Sequence, residues 1–107
     1  MSLIQEQFFD IGANLTHKSF KSDIDKVIID SIESGVRRMS VTGSCLADSI
    51  IAAEIAEEYS ETCVSTAGIH PHNAKEYSLE LFSEIKDLLS KDLVKCIGET
   101  GLDFFYN

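Results

Sequence analysis

Two periodicities alternate along this chain. Residues 8–14 (FFDIGAN), 37–42 (RRMSVT), 63–69 (CVSTAGI) and 93–97 (LVKCI) are short runs rich in apolar, β-branched and small residues, and each reads as a strand. Between them apolar residues recur at helical spacing. Ile24, Val27, Ile28 and Ile32 form one stripe. Ser22 stands at its start as an N-cap, with Asp25 completing a capping box in place of Glu. Gly35 follows as a stop at the C′ position. A second helix over 45–59 places Ala47, Ile51 and Ile55 on one face and Glu54, Glu57 and Glu58 on the other. Ser44, after the Gly43 turn, is its expected N-cap, and the acidic run reads as a solvated face. Ser78 caps a third helix, whose buried stripe is Leu81, Phe82, Ile85, Leu88 and Leu89. Lys86 and Lys91 sit towards its C-terminal end, where positive charge is favourable.

The order is therefore βαβαβαβ, which implies right-handed crossovers and a parallel sheet. No linker, repeat or low-complexity tract interrupts it, so residues 1–107 are expected to form a single domain. Two α/β architectures fit: an open doubly wound sheet, or part of a (β/α)8 barrel. Both place ligands at the C-terminal ends of the strands. Polar residues gather at those ends: Asp10 and Asn14, then Thr42 and Ser44, then His70 and His72, then Glu99.

Charge narrows the options. The chain has 107 residues, a net charge of −9 and a pI near 4.6. That disfavours broad binding of nucleic-acid phosphates by an open basic face. It leaves room for an enzyme that grips phosphate through metal ions in a local pocket. No apolar run reaches the roughly 20 residues of a membrane helix, so no membrane partner is expected. Residues 1–9 lack a basic segment and carry Glu6, which argues against a signal peptide. Cys45, Cys63 and Cys96 show neither a disulfide framework nor zinc-knuckle spacing, and a reduced, cytoplasmic setting follows, with the nucleus as the alternative. Cys63 and Cys96 read as core. Cys45, at a helix start, reads as a small buried apolar residue in preference to a nucleophile.

Glu99 follows the fourth strand and Gly98. It reads equally as a ligand for a hard divalent cation or as one half of a structural ion pair. His70 and His72 flank Pro71 on one turn. They suit phosphate contact or general-acid work, against the plainer reading of histidines capping backbone carbonyls. Asp10 and Asn14 occupy even positions of one strand and so would share a face. Against this, Asn14 is also a natural turn cap. His17 reads as a surface-loop residue. Gly98 and Gly101 do not form a dinucleotide fingerprint.

Three segments carry a resemblance: Asp10-Ile11-Gly12-Ala13-Asn14-Leu15-Thr16, Ala67-Gly68-Ile69-His70-Pro71-His72, and Ile97-Gly98-Glu99-Thr100-Gly101-Leu102-Asp103-Phe104. In order and spacing the chain resembles the N-terminal part of a TatD-family hydrolase, a family of metal-dependent deoxyribonucleases. The resemblance implies a (β/α)8 barrel, of which this chain supplies about the first three and a half βα units. It implies hydrolysis of DNA phosphodiester bonds, usually from an end, with a divalent metal: Mg²⁺ first, Zn²⁺ or Mn²⁺ as alternatives. Glu99 then corresponds to the family's metal-binding glutamate, and His70 and His72 to its catalytic, substrate-side His-Pro-His turn. Asp10, Asn14 and Asp103 fall on the substrate-binding side. Many members carry His-x-His on the first strand; here those positions are Gly12 and Asn14. A complete barrel takes about 250 residues, so the chain is expected to be a fragment, with the later ligands and the general base outside it. Two alternatives stand beside this reading: another ester, amide or phosphoester substrate on the same scaffold, and a truncated, non-catalytic α/β module that associates through its open sheet edge.

Overall fold

In the computed structural model, which describes residues 6–105, the apolar runs pair as one parallel four-stranded sheet. Residues 1–5 and 106–107, at the margins of the expected domain and including part of the N-terminal stretch read above, lie outside the described residues. The strands are β1 (Phe8–Ala13), β2 (Val36–Val41), β3 (Cys63–Ala67) and β4 (Val94–Ile97). Helices α1 (Ile24–Glu33), α2 (Leu46–Glu58) and α3 (Leu79–Leu88) connect them, with short 3-10 turns at Lys18–Phe20 and Pro71–Glu76. The spatial order is β1-β2-β3-β4. A doubly wound sheet would reverse its strand order at a switch point. Strict sequential order with right-handed crossovers keeps every helix on one face, as in a barrel wall.

The core lies between that face and the helices. Ala13, Met39, Val41 and Cys63 meet Ile28, Ala52 and Ala56, and Ala67 and Val94 meet Ala53, Ile85 and Leu88. Ile24, Val27 and Ile32 pack against the first group, so the α1 stripe lies where its spacing puts it. Gly35 follows the α1 C-cap with φ +102°, a conformation that glycine adopts without penalty. Ser78 caps α3, its Oγ accepting from the Leu81 N–H at 3.0 Å.

Several expectations need correction. No capping box starts α1: its N-cap is Asp23, whose side chain makes no capping bond. The turn at Lys18–Phe20 continues through Asp23 N–H to the Phe20 carbonyl, which moves the helix start past Ser22. Cys45, not Ser44, is the N-cap of α2; its Sγ accepts from the Asp48 N–H at 3.5 Å. Cys45 is half-buried, and Ser44 Oγ instead donates to Asp48 Oδ2 at 2.5 Å. The buried face of α2 is Ser49, Ala52, Ala53 and Ala56, while Ala47 and Ile51 are exposed. Small side chains let the helix axis approach β2 and β3, and larger ones would overpack that contact. Phe82 is 51% exposed, whereas Ile85 and Leu88 of the same stripe are buried. On β4 only Val94 is buried, so Cys96 is not core.

The cysteines give a direct check. Burial pushes the Cys63 thiol up to about 11, and the thiolate is the reactive form. At pH 8 iodoacetamide is expected to alkylate exposed Cys96 first and to leave Cys63 unmodified until denaturant is added, as read by peptide mass spectrometry.

Candidate active site

The C-terminal ends of the strands are stitched together by bonds between neighbouring strands and by one that skips a strand. The Thr42 N–H donates to the Ala13 carbonyl at 3.0 Å, and the Gly98 N–H to the Ala67 carbonyl at 3.0 Å. Thr66 Oγ1 accepts from the Gly43 N–H at 3.1 Å and donates to the Gly98 carbonyl at 2.8 Å. The Glu99 N–H reaches the Gly43 carbonyl at 2.8 Å. This last bond carries the post-β4 chain over the end of β3. Two glycines make the passage possible: a Cβ at Gly68 would lie 2.3 Å from the Glu99 carbonyl oxygen, and one at Gly43 would lie 2.3 Å from Ser49 Oγ. Ser49 Oγ in turn accepts from the Gly68 N–H at 3.1 Å. The Gly98–Glu99 peptide is cis.

Above these strand ends opens a cavity of about 780 Å³, lined by Ile11, Gly12, Asn14, Thr42, Ser44, Thr66, His70, His72, Asn73, Gly98 and Glu99. Four of the six residues singled out from the sequence line it: Asn14, His70, His72 and Glu99. Asp10 does not. Its even position was expected to share a face with Asn14, but β1 carries an irregularity: Asp10 pairs with Met39 and Ala13 with Val41. That leaves one residue more on β1 than on β2, so alternation breaks between Asp10 and Asn14. Ile11 turns to the cavity instead, and Asp10 Oδ1 accepts from the Gly12 N–H at 3.0 Å within the bulge. Asp103 also lies outside this cavity; it lines a neighbouring one and contacts His72. His17 is an exposed loop residue that caps the turn at Lys18–Phe20. Thr66 and Asn73 escaped the sequence reading. Thr66 is hidden inside an apolar run. Asn73 directly follows the histidine turn, and its Nδ2 donates to the Ser44 carbonyl at 3.0 Å.

The histidine turn fixes its own chemistry. The His72 N–H donates to His70 Nδ1 at 3.0 Å. Nδ1 is therefore an acceptor, and the neutral ring carries its proton on Nε2. That nitrogen faces Glu99 Oε1 at 3.7 Å. In this tautomer Nε2–H is a hydrogen-bond donor on the side of Glu99 and the cavity. His72 stands edge-on to His70, with centroids 4.5 Å apart, and its Nε2 lies 3.2 Å from Asp103 Oδ2. The order carboxylate, imidazole, imidazole, carboxylate runs from Asp103 to Glu99.

Among the described residues, no three His, Cys, Asp or Glu side chains form a ready-made metal cage. Glu99 is the acidic residue of the cavity, 46% exposed, and Asn14 adds a carboxamide oxygen. This donor set fits one side of a Mg²⁺-type site, in which one or two carboxylates act with waters and substrate phosphate. No described helix is long and apolar enough to cross a membrane.

Comparison with known proteins agrees with the parallel α/β fold. Residues 9–107 match the family model described as TatD related DNase. The 3'-5' ssDNA/RNA exonuclease TatD of Pantoea ananatis is 46% identical over 99 residues, covering 92% of this chain and 38% of the relative. A hydrolase TatD family protein from Entamoeba histolytica, solved by crystallography, superposes with a TM-score of 0.84 at 33% identity, over 97% of this chain and 40% of its own. An amidohydrolase from Saccharomyces cerevisiae shares the fold, with a TM-score of 0.77 at 24% identity, over 94% of this chain and 38% of its own. The chain thus spans 38% of the length of the curated relatives it matches.

Proposed function

The chain belongs to the TatD-related DNase family, and from that premise we propose that the full-length protein is a divalent-metal-dependent phosphodiesterase that removes nucleotides from DNA ends. One observation carries the reading. A polar cavity at the ends of all four strands presents Glu99, His70, His72 and Asn14, and among the described residues no Lys or Arg lines it. A phosphodiester is anionic, so a cavity without cationic side chains needs a metal ion to receive it.

Glu99 and Asn14 hold the metal on this side of the site, with Mg²⁺ favoured and Zn²⁺ or Mn²⁺ as alternatives. When bound, the metal supplies Lewis-acid polarisation of a phosphoryl oxygen and a more acidic water. His70 donates from Nε2 to a phosphate oxygen, its tautomer set by the His72 N–H at Nδ1. His72, oriented by Asp103, stands beside the leaving group for proton transfer. Thr66 and Gly43 hold Glu99 at the cavity wall through the backbone. The reaction belongs in the cytoplasm, where the three free cysteines stay reduced, or in the nucleus.

The test is metal removal from the full-length protein. Dialysis against EDTA is expected to abolish release of mononucleotides from a single-stranded oligodeoxynucleotide, and added Mg²⁺ to restore it. Activity that survives chelation would sink the metal-dependent reading. Hydrolysis of simple esters or amides in place of the oligonucleotide would move the substrate class.

A further inference from the structure

One buried hydroxyl stands apart from its surroundings. The buried face of α2 is made of Ala52, Ala53 and Ala56, but it begins with Ser49, which is 0% exposed. A buried hydroxyl is costly unless it is hydrogen-bonded. Ser49 Oγ bonds one residue twice: it accepts from the Gly68 N–H at 3.1 Å and donates to the Gly68 carbonyl at 3.4 Å. Gly68 lies just past β3, where the pairing with β4 has ended. A helix side chain therefore takes the place of a strand partner and fixes both backbone groups of Gly68. Ser49 and Gly68 are buried by the described residues themselves.

Two residues of the Glu99 cavity depend on that point. Glu99 crosses directly over Gly68, its carbonyl oxygen 2.3 Å from where a Cβ would lie. His70 is two residues further along the chain from Gly68. The Glu99 N–H is held by the Gly43 carbonyl, and Gly43 is itself packed closely against Ser49. The His70 N–H and Asn73 Nδ2 both donate to the Ser44 carbonyl, at 2.8 and 3.0 Å, one residue before the Cys45 cap of α2. The start of α2 thus supports both sides of the 3.7 Å gap between His70 Nε2 and Glu99 Oε1.

We propose that Ser49 is a positioning residue, whose hydroxyl acts through Gly68 to set the placement of Glu99 against His70. The role rests on the phosphodiesterase reading and extends it to a side chain that does not line the cavity. Removing the hydroxyl leaves the Gly68 N–H without its partner and frees the point over which Glu99 passes.

The experiment compares the full-length wild type with Ser49→Ala and Ala56→Gly. Ala56 lies about two turns further along the same buried face, in the core cluster of Val41 and Cys63. Glycine there loosens α2 and leaves the Ser49 hydroxyl in place. Rates are measured on a single-stranded oligodeoxynucleotide with Mg²⁺, below each melting midpoint, so that folded molecules are compared. Ser49→Ala is expected to lower kcat by about 10–100-fold, the range for groups that orient a ligand, with KM little changed. Ala56→Gly is expected to lower the melting midpoint and keep the wild-type kcat. A second readout needs no metal. Amide hydrogen exchange, followed by NMR on EDTA-treated protein, should show protection lost at Gly68 and Glu99 in Ser49→Ala and kept at Met39, which bonds the Thr62 carbonyl at the far end of β3. If Ser49→Ala keeps the wild-type kcat, or loses no more than Ala56→Gly, or retains protection at Glu99, the positioning role is overturned and the nuclease reading stands. If the wild type releases no nucleotide, the nuclease reading fails and takes the role of Ser49 with it.

Discussion

Glu99→Gln in the full-length protein is expected to lower kcat for oligonucleotide hydrolysis by about 10²–10³-fold while leaving the fold intact. The change keeps the size of the side chain and removes its charge. A carboxamide is a weaker ligand for a hard cation than a carboxylate, and losing one electrostatic contact to the developing charge costs about that factor. Stability should hold because Glu99 is anchored by its backbone: the N–H bond to the Gly43 carbonyl does not involve the carboxylate. The side chain itself is 46% exposed, and substitutions at such positions usually change stability by about 0.5 kcal/mol or less. The rate and the thermal midpoint, measured on one preparation, check both halves. A variant as active as the wild type would remove Glu99 from the mechanism. A variant that has lost its melting transition would show that the carboxylate is structural.

Gly68→Ala is the opposite case, a small change with a large structural effect. The added Cβ would lie 2.3 Å from the Glu99 carbonyl oxygen, 2.6 Å from the Gly98 carbonyl carbon and 2.7 Å from its oxygen. These are backbone atoms and cannot rotate aside, so the segment after β4 must lift away from β3. Overpacking of this kind costs about 1–3 kcal/mol. In a protein of barrel size that lowers the melting midpoint by about 2–4 °C per kcal/mol. Gly12→Ala is the matched control, since a Cβ there meets nothing closer than Thr42 Oγ1 at 4.0 Å. Differential scanning calorimetry should show a clear drop for Gly68→Ala and little for Gly12→Ala. Equal midpoints would mean that the close passage over Gly68 is not needed. Activity should fall in Gly68→Ala as well, because the lifted segment carries Glu99.

How far these features could be read from the sequence depends on whether their cause is local. The strands were legible because each is a short apolar run, and α1 because its isoleucines keep helical spacing. The α2 face was not. Isoleucine announces a core more loudly than alanine, yet the close approach of α2 to β2 and β3 selects Ala52, Ala53 and Ala56. Glu99, His70, His72 and Asn14 were legible as polar residues just past apolar runs, and all four line one cavity. Asp10 was misplaced because period-two reasoning assumes an unbroken strand, and the extra residue between Asp10 and Ala13 leaves no mark in composition. Cys96 was misread for a tertiary reason: β4 has a neighbour on one side only among the described residues, so most of its side chains stay exposed.

The hydroxyl of Thr66 accepts from one strand end and donates to another. Substitution at this position is therefore filtered by chemistry before size. Valine reproduces the outline of threonine and can make neither bond. It would leave the Gly43 N–H and the Gly98 carbonyl without their shared partner. Serine is smaller and keeps both. A position that looks like one more β-branched residue in a buried strand thus tolerates a loss of volume better than a loss of oxygen.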